Sequence, residues 1–427
     1  MRKIFKILIL LSPLFLMVSN SYSQTLIDYV GKEDGCFNWE LLSKEKIEGV
    51  SVYNIDLISQ EWKNIVWTHR LVVSVPEILT NPDLGILFIT GSWKGNQPEE
   101  VLYIQEMSRN LGCVAAALFD VPNQPLFDGL REDALIAYTL AKFVETNDEE
   151  WPLLLPMTKS AVKAMTAIQE FSKKEFGMSI DGFVVTGASK RGWTTWLTAA
   201  CDERVKGIAP LVYDNLNIKA QFEHQREIWG DLSAQIHDYI DLGLDRLVDF
   251  PIGDSLLAII DPYSYRDRIV VPKFIINGSN DPYWAIDAVN LYFEDLPGEK
   301  YILYVPNSGH ELQDRERVIK SISTFYLCLA EHIPFPEISW NFTEDEQSIR
   351  PELFSDIEPT KAGVWYAESS NKNFVYSVWD YIEAQESELG YTVKLNKPQD
   401  KNLALFGELY YRIGDGELYL CTPSMLR

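Results

Sequence analysis

Ser189 stands at the tip of a sharp corner in "VVTGASKRGWTTWLTAA", where an apolar strand-like segment ends near Thr186 and a helical pattern begins near Gly192. A hydroxyl pushed clear of the backbone there, with a helix amino terminus aimed at it, suits attack on a carbonyl carbon. Glycines before and after it fit so tight a bend, because a side chain would collide. The plainer reading is that Ser189 only caps the helix. A nucleophile needs a base, and the base an orienting acid. "FIINGSNDPYW" supplies Asp281 at the end of one apolar strand, and "YILYVPNSGHEL" supplies His310 at the end of the next. Of the five histidines, His69 lies mid-strand, His224 and His237 lie in a helical insertion, and His332 closes a long helix. Only His310 joins a strand end to a preceding glycine. Asp267 and Asp287 rival Asp281, but neither directly follows an apolar strand.

Serine, then acid, then histidine, each after a successive strand, is the chain order of the α/β-hydrolases. The corner departs from the usual GxSxG spelling: Arg191 holds the fifth position and Gly192 follows one residue late. In the chemistry this order implies, His310 takes the proton of Ser189, Asp281 orients His310, and an oxyanion develops that needs preplaced donors. The backbone donors expected are the amide of Lys190 and those of the "TGSW" loop at Ser92 and Trp93. Candidates for substrate contact are Asp214, Asn215 and Trp229 in the insertion, and Tyr283 and Trp284 beside Asp281.

The elements that must position these residues alternate. Three strand-like segments between residues 50 and 90 lead into helix "PEEVLYIQEMSRNLG", strand "CVAAALFDVP", helix "SAVKAMTAIQEFSKKEFG", strand "DGFVVTG", helix "WTTWLTAACDERV" and strand "KGIAPLVY". Continuous apolar strands interleaved with helices predict a mostly parallel sheet covered on both faces, with the ligand at the strands' carboxyl ends. Residues 214–265 interrupt the rhythm with aromatic-rich helices and are expected as a lid over that end. The alternation resumes with "VVPKFIINGSNDPYW", "AIDAVNLYFEDLPG", "KYILYVPNSGHEL" and "DRERVIKSISTFYLCLAEH". Prolines in "IPFPEISWNF" then break it, and 335–427 reads as a small antiparallel β-rich domain, sandwich-like. The expected division is therefore 1–23, 24–334 and 335–427.

Residues 1–23 carry Arg2, Lys3 and Lys6, then an apolar run from Ile7 to Val18, then small and polar residues. This is the pattern of a secretory signal peptide cleaved before Gln24, which implies a periplasmic or secreted protein without stable membrane insertion. Its apolar run is well short of the ~20 residues of a spanning helix. Its removal takes away three positive charges and no negative ones, moving the formal charge from -24 to -27. Such acidity disfavours nucleic-acid binding and favours cationic substrates, although solubility alone also accounts for it. The five cysteines, Cys36, Cys113, Cys201, Cys328 and Cys421, are scattered. An odd count leaves at least one thiol free or bridged between molecules, and Cys113 and Cys328 fall in apolar runs that predict burial. With neither a CxxC pair nor HExxH, no metal or other cofactor is expected.

The sequence resembles the PhoPQ-activated pathogenicity-related family from about residue 26 to the end. The resemblance rests on "VTGASKRGWTTWLTAACDERVKGIAP", "DPYSYRDRIVVPKFIINGSNDPYW", "LPGEKYILYVPNSGH", "FVYSVWDY" and "LALFGELYY". It implies that "GASKRGW" is that family's own form of the corner, that the fold is α/β-hydrolase with a β-rich tail, and that Ser189, Asp281 and His310 match the family's triad. It also implies export, and a suspected relation to prolyl-oligopeptidase-type peptidases.

Three readings follow. The first is a serine peptidase, favoured by the acidic surface and by acidic and aromatic insertion residues including Glu223. The second is an esterase acting on carbohydrate or other small acyl esters through the same triad, with Trp93, Tyr283 and Trp284 suited to a sugar face. The third is a non-catalytic secreted binding or signalling protein on a hydrolase scaffold.

Overall fold

The computed structural model describes residues 24–427 apart from 96, 97 and 389. The segment read as a signal peptide lies outside the described residues. After a short helix α1 at 24–31, strands β1 (Asn38–Ile47), β2 (Val50–Trp62) and β3 (Ile65–Pro76) form an antiparallel meander. Strand β1, "NWELLSKEKI", was not expected. It is an edge strand whose side chains are mostly exposed, so it lacks the apolar alternation that marks β2 and β3.

Six parallel strands follow: β4 (Leu84–Ile89), β5 (Ala115–Leu118), β6 (Gly182–Ala188), β7 (Val205–Leu211), β8 (Lys273–Gly278) and β9 (Lys300–Val305). Their order across the sheet, β2-β3-β5-β4-β6-β7-β8-β9, with β3 alone antiparallel to the other seven, makes this an α/β-hydrolase fold. The near-continuous burial of β4 to β8 follows from helices covering both faces. Those helices are α2 (Glu99–Leu111), α3 (Glu132–Thr146), α4 (Leu154–Phe176), α5 (Lys190–Cys201) and α9 (Arg315–Ala330). Among the described residues, no helix is long and apolar enough to cross a membrane.

Between β7 and β8, helices α6 (Ile218–Trp229), α7 (His237–Asp241) and α8 (Pro251–Ile260) alternate with short 3-10 turns and cover the carboxyl ends of the strands. "AIDAVNLYFEDLPG" makes only a 3-10 turn, Ala288–Leu291, where the alternation predicts a helix. Side chains tie it down outside a helical path: the Tyr292 hydroxyl donates to Asp214 and the Asn290 amide to the Ser424 carbonyl.

The C-terminal strands do two things. β12 (Lys361–Ser369), β13 (Asp380–Glu383), β17 (Asn402–Ile413) and β18 (Gly416–Cys421) extend the central sheet, β18 pairing with β9 at Cys421 and Ile302. A second, antiparallel sheet packs against this extension. It contains β10 (Ile338–Glu344), β11 (Ser348–Ser355), β14 (Gln385–Glu386), β15 (Tyr391–Thr392) and β16 (Leu395–Asn396), and Ile349, Val393 and Leu395 meet Val364, Leu403 and Leu405 between the layers. The result is sandwich-like, but continuous with the strands that carry the site. All five cysteines are free, and Cys113, Cys328 and Cys421 are buried.

Candidate active site

Strand β6 runs into helix α5 through Ser189, whose φ of 58° and ψ of -124° place a non-glycine residue in sparsely populated backbone space. The corner is held by the Ser189 amide, which donates to the Leu211 carbonyl of β7 at 2.8 Å. Gly192 is needed on the inner side of the bend: a Cβ there would meet the Leu211 carbonyl oxygen at 2.8 Å and the Gly187 oxygen at 3.1 Å. That frees position 191 for a side chain, which explains the displaced glycine of "GASKRGW".

His310 Nε2 lies 2.9 Å from Ser189 Oγ, and His310 Nδ1 lies 2.7 Å from Asp281 Oδ2. An ionised carboxylate only accepts, so Nδ1–H donates to Asp281 and Nε2 is left to accept the serine proton. The second oxygen, Asp281 Oδ1, accepts the Tyr283 amide at 2.9 Å, and the Tyr283 ring stacks on the His310 ring at 4.1 Å. Asp281 is 5% exposed, so the water that would weaken this pairing is kept out. The C-terminal region braces both loops. Asn280 donates to the carbonyls of Phe374, Val375 and Ser377, and Asn307 exchanges two hydrogen bonds with the backbone of Trp379.

Lys190 is the first residue of α5, so its amide has no carbonyl to bond within the helix. Ser92 borders the same cleft as Ser189. Trp93 does not offer its amide: it donates to Asp120 Oδ1 at 3.1 Å, and the ring packs between Phe119 and the Arg70 guanidinium. Asp214 is also drawn away, being buried beneath the site and accepting the Tyr292 hydroxyl at 2.6 Å. Burial, together with the nearby Asp281 and Asp287 charges, pushes its carboxyl up to about 7 against the pull of Tyr292. Trp229 ends α6 half-buried and borders neither space beside Ser189. Asn215, Tyr283 and Trp284 do reach the walls.

Sequence reasoning missed the polar group beneath the loop at residues 91–93. Arg191 donates to Glu132 at 2.7 and 2.9 Å and to the Val121 carbonyl at 2.6 Å. Glu132 and Asp133, opening α3, both pair with Lys190 Nζ, at 3.0 and 3.1 Å. Gln124 links Glu132 to the Ser92 hydroxyl, and the Glu132 amide donates back to Gln124. Gly91 leaves room for the guanidinium, which a Cβ would meet at 2.8 Å. Burial alone would raise the Glu132 carboxyl, but hydrogen bonds and charge from Arg191, with the charge of Lys190, hold it far below its ordinary value. The available signal was the apolar spacing of "EDALIAYTLAKFVET" behind two acidic residues, a helix start.

Ser189 borders two spaces. A cleft of about 740 Å³ contains His310, Ser92 and Lys190. A smaller pocket of about 80 Å³ lies under the α6–α8 insertion, walled by aromatic and aliphatic side chains. No group of three or more potential metal ligands occurs among the described residues.

The model of the PhoPQ-activated pathogenicity-related proteins matches residues 26–374. The chain belongs to that family. Autocrine proliferation repressor protein A of Dictyostelium discoideum is 33% identical to this family member over 446 aligned positions, 95% of this chain and 89% of that one. Among solved structures, acetyl xylan esterase 1 of Thermoanaerobacterium sp. JW/SL YS485 is similar with a TM-score of 0.49 and 14% identity, covering 74% of this chain and 94% of its own. The acetyl xylan esterase of Paenibacillus sp. R4 gives 0.45 and 14%, over 71% and 93%.

Proposed function

We propose that this protein is an exported serine hydrolase that cleaves peptides through an acyl-enzyme on Ser189. The observation that carries the reading is the unbroken relay from Ser189 Oγ to His310 Nε2 at 2.9 Å and from His310 Nδ1 to Asp281 at 2.7 Å. In the first half-reaction Ser189 Oγ bonds to the substrate carbonyl carbon while its proton passes to His310. The carbonyl oxygen becomes an oxyanion facing the Lys190 and Ser92 amides. When the tetrahedral species collapses, the bond to the leaving group breaks and His310 returns the proton to it. Water then repeats the sequence on the acyl-enzyme and frees Ser189. Throughout, Asp281 holds His310 in the required tautomer and stabilises its charged form. Net negative charge supports a cationic peptide as substrate, and the apolar run of residues 1–23 supports export.

The test is labelling of the purified protein with a fluorophosphonate, beside Ser189→Ala and His310→Ala. Labelling at Ser189 that both variants lose is expected. A folded protein that never labels would sink the reading and leave a hydrolase scaffold used for binding. Turnover of acyl esters without any turnover of peptides would replace peptidase by esterase.

A further inference from the structure

The two spaces beside Ser189 are chemically distinct. His310 borders the large cleft but not the small pocket. On the acyl-enzyme reading, on which this inference rests, His310 gives its proton to the leaving group. The leaving group therefore departs through the cleft, and the side chain of the acyl part enters the pocket.

The pocket selects by size and by polarity. Its ~80 Å³ is room for about six non-hydrogen atoms, at the ~10–15 Å³ that a water-sized sphere fills. Its walls are apolar: Trp193 stacks on Tyr213, Trp284 meets Tyr213 edge-on, and Leu256 and Ile260 close the insertion side. Polar groups interrupt them: Asp133 is already paired with the Lys190 ammonium and the Tyr239 hydroxyl, whereas Asp245 and Asn215 are not fully paired. Asp245 pairs one oxygen with Arg226 at 2.9 Å, but its Oδ1 is buried with no hydrogen-bond partner among the described residues. Asn215 Oδ1 also lacks a partner, but the Tyr213 hydroxyl, an unpaired buried donor, lies beside that side chain; Asp245 and Asn215 are each 7% exposed. Unpartnered buried acceptors are costly unless a ligand supplies the donor.

We infer that this pocket is the acyl-side specificity site and takes a side chain with an aliphatic stem and a hydrogen-bond-donating amine at its tip, as in lysine. The stem fills the aromatic walls, and the amine supplies the donor that Asp245 lacks.

The experiment compares N-acetyl p-nitrophenyl esters of alanine, norleucine and lysine on the whole protein and on Asp245→Asn, with fluorophosphonate labelling run in parallel. Buried methylenes give norleucine an advantage over alanine of about tenfold or more in kcat/KM. The charge-assisted hydrogen bond gives lysine a further advantage of about tenfold, which Asp245→Asn reduces towards one. Equal rates on the three esters by a protein that labels at Ser189 would overturn the pocket assignment and leave the hydrolase intact. A lysine ester slower than norleucine overturns the amine at the tip. Absence of labelling overturns the reading beneath both.

Discussion

Arg191, two residues beyond Ser189, grips Glu132 with both ends of its guanidinium, at 2.7 and 2.9 Å. Glu132 in turn reaches Ser92 through Gln124, so one chain of polar contacts ties the Ser189 corner to the loop at residues 91–93. Arg191 is 8% exposed and would be left as a buried unpaired charge without its partner. Glu132→Ala is therefore expected to cost roughly 2 kcal/mol or more in stability. As a positioning residue, Glu132 should also show its loss in kcat more than in KM: Glu132→Gln, which keeps the shape, is expected to lower kcat at least tenfold. Denaturant unfolding and steady-state kinetics check the two effects separately. An unchanged kcat in folded Glu132→Gln would reduce the network to a structural brace.

Much of this arrangement was legible in the sequence, and the reason is local. Ser189, Asp281 and His310 each follow a short apolar strand, so periodicity marked the strand ends and chain order pointed to the three residues that meet. The parallel sheet was legible for the same reason. What stayed hidden depends on contacts between distant segments. Nothing around Glu132 indicates that it meets Arg191, 59 residues away. Trp93 and Asp214 sit next to the right loops in sequence, yet Asp120 and Tyr292 draw them away from the site. The continuity of the C-terminal strands with the central sheet hangs on one ladder contact, Cys421 with Ile302, that no sequence pattern announces.

Backbone strain at the corner predicts a trade between activity and stability. Ser189 holds a φ of 58° that glycine adopts at little cost and other residues do not. Ser189→Gly is expected to be inactive but more stable than Ser189→Ala by about 1 kcal/mol. Urea unfolding of the two variants side by side measures it. Equal midpoints would show that the corner is unstrained.

Asp214 predicts a pH dependence of stability. Its folded-state carboxyl titrates near 7, raised from 3.8 first by burial. Between those values the folded protein holds a proton that the unfolded chain releases, so stability falls as pH rises through this window and levels off above it. The slope is up to ~1.4 kcal/mol for each unit. Asp214→Asn cannot ionise and still accepts from Tyr292. Its melting temperature should decline less than that of the native protein between pH 5 and pH 8, and parallel declines would rule Asp214 out as the source.

His224 carries the same sign by a different route. Its Nε2 lies 2.8 Å from Asp287 Oδ1, joining α6 of the insertion to the segment that follows Asp281. The hydrogen bond and charge of Asp287 raise its pKa, against partial burial. A raised histidine pKa means that the pairing stabilises fully below the unfolded value of about 6.5 and is lost as pH climbs through the folded one. Gln221 donates to the Ala288 carbonyl, Gln225 to the Tyr283 carbonyl and Ser233 to the Pro282 carbonyl. None of these three contacts titrates, so α6 should loosen without detaching. Hydrogen exchange of residues 218–229, corrected for the intrinsic rate, should therefore rise from pH 6 to pH 8.5 in the native protein. His224→Gln, which keeps a donor for Asp287 but no titrating charge, should show little change. A rise of the same size in the variant would mean that the insertion responds to pH through some other group.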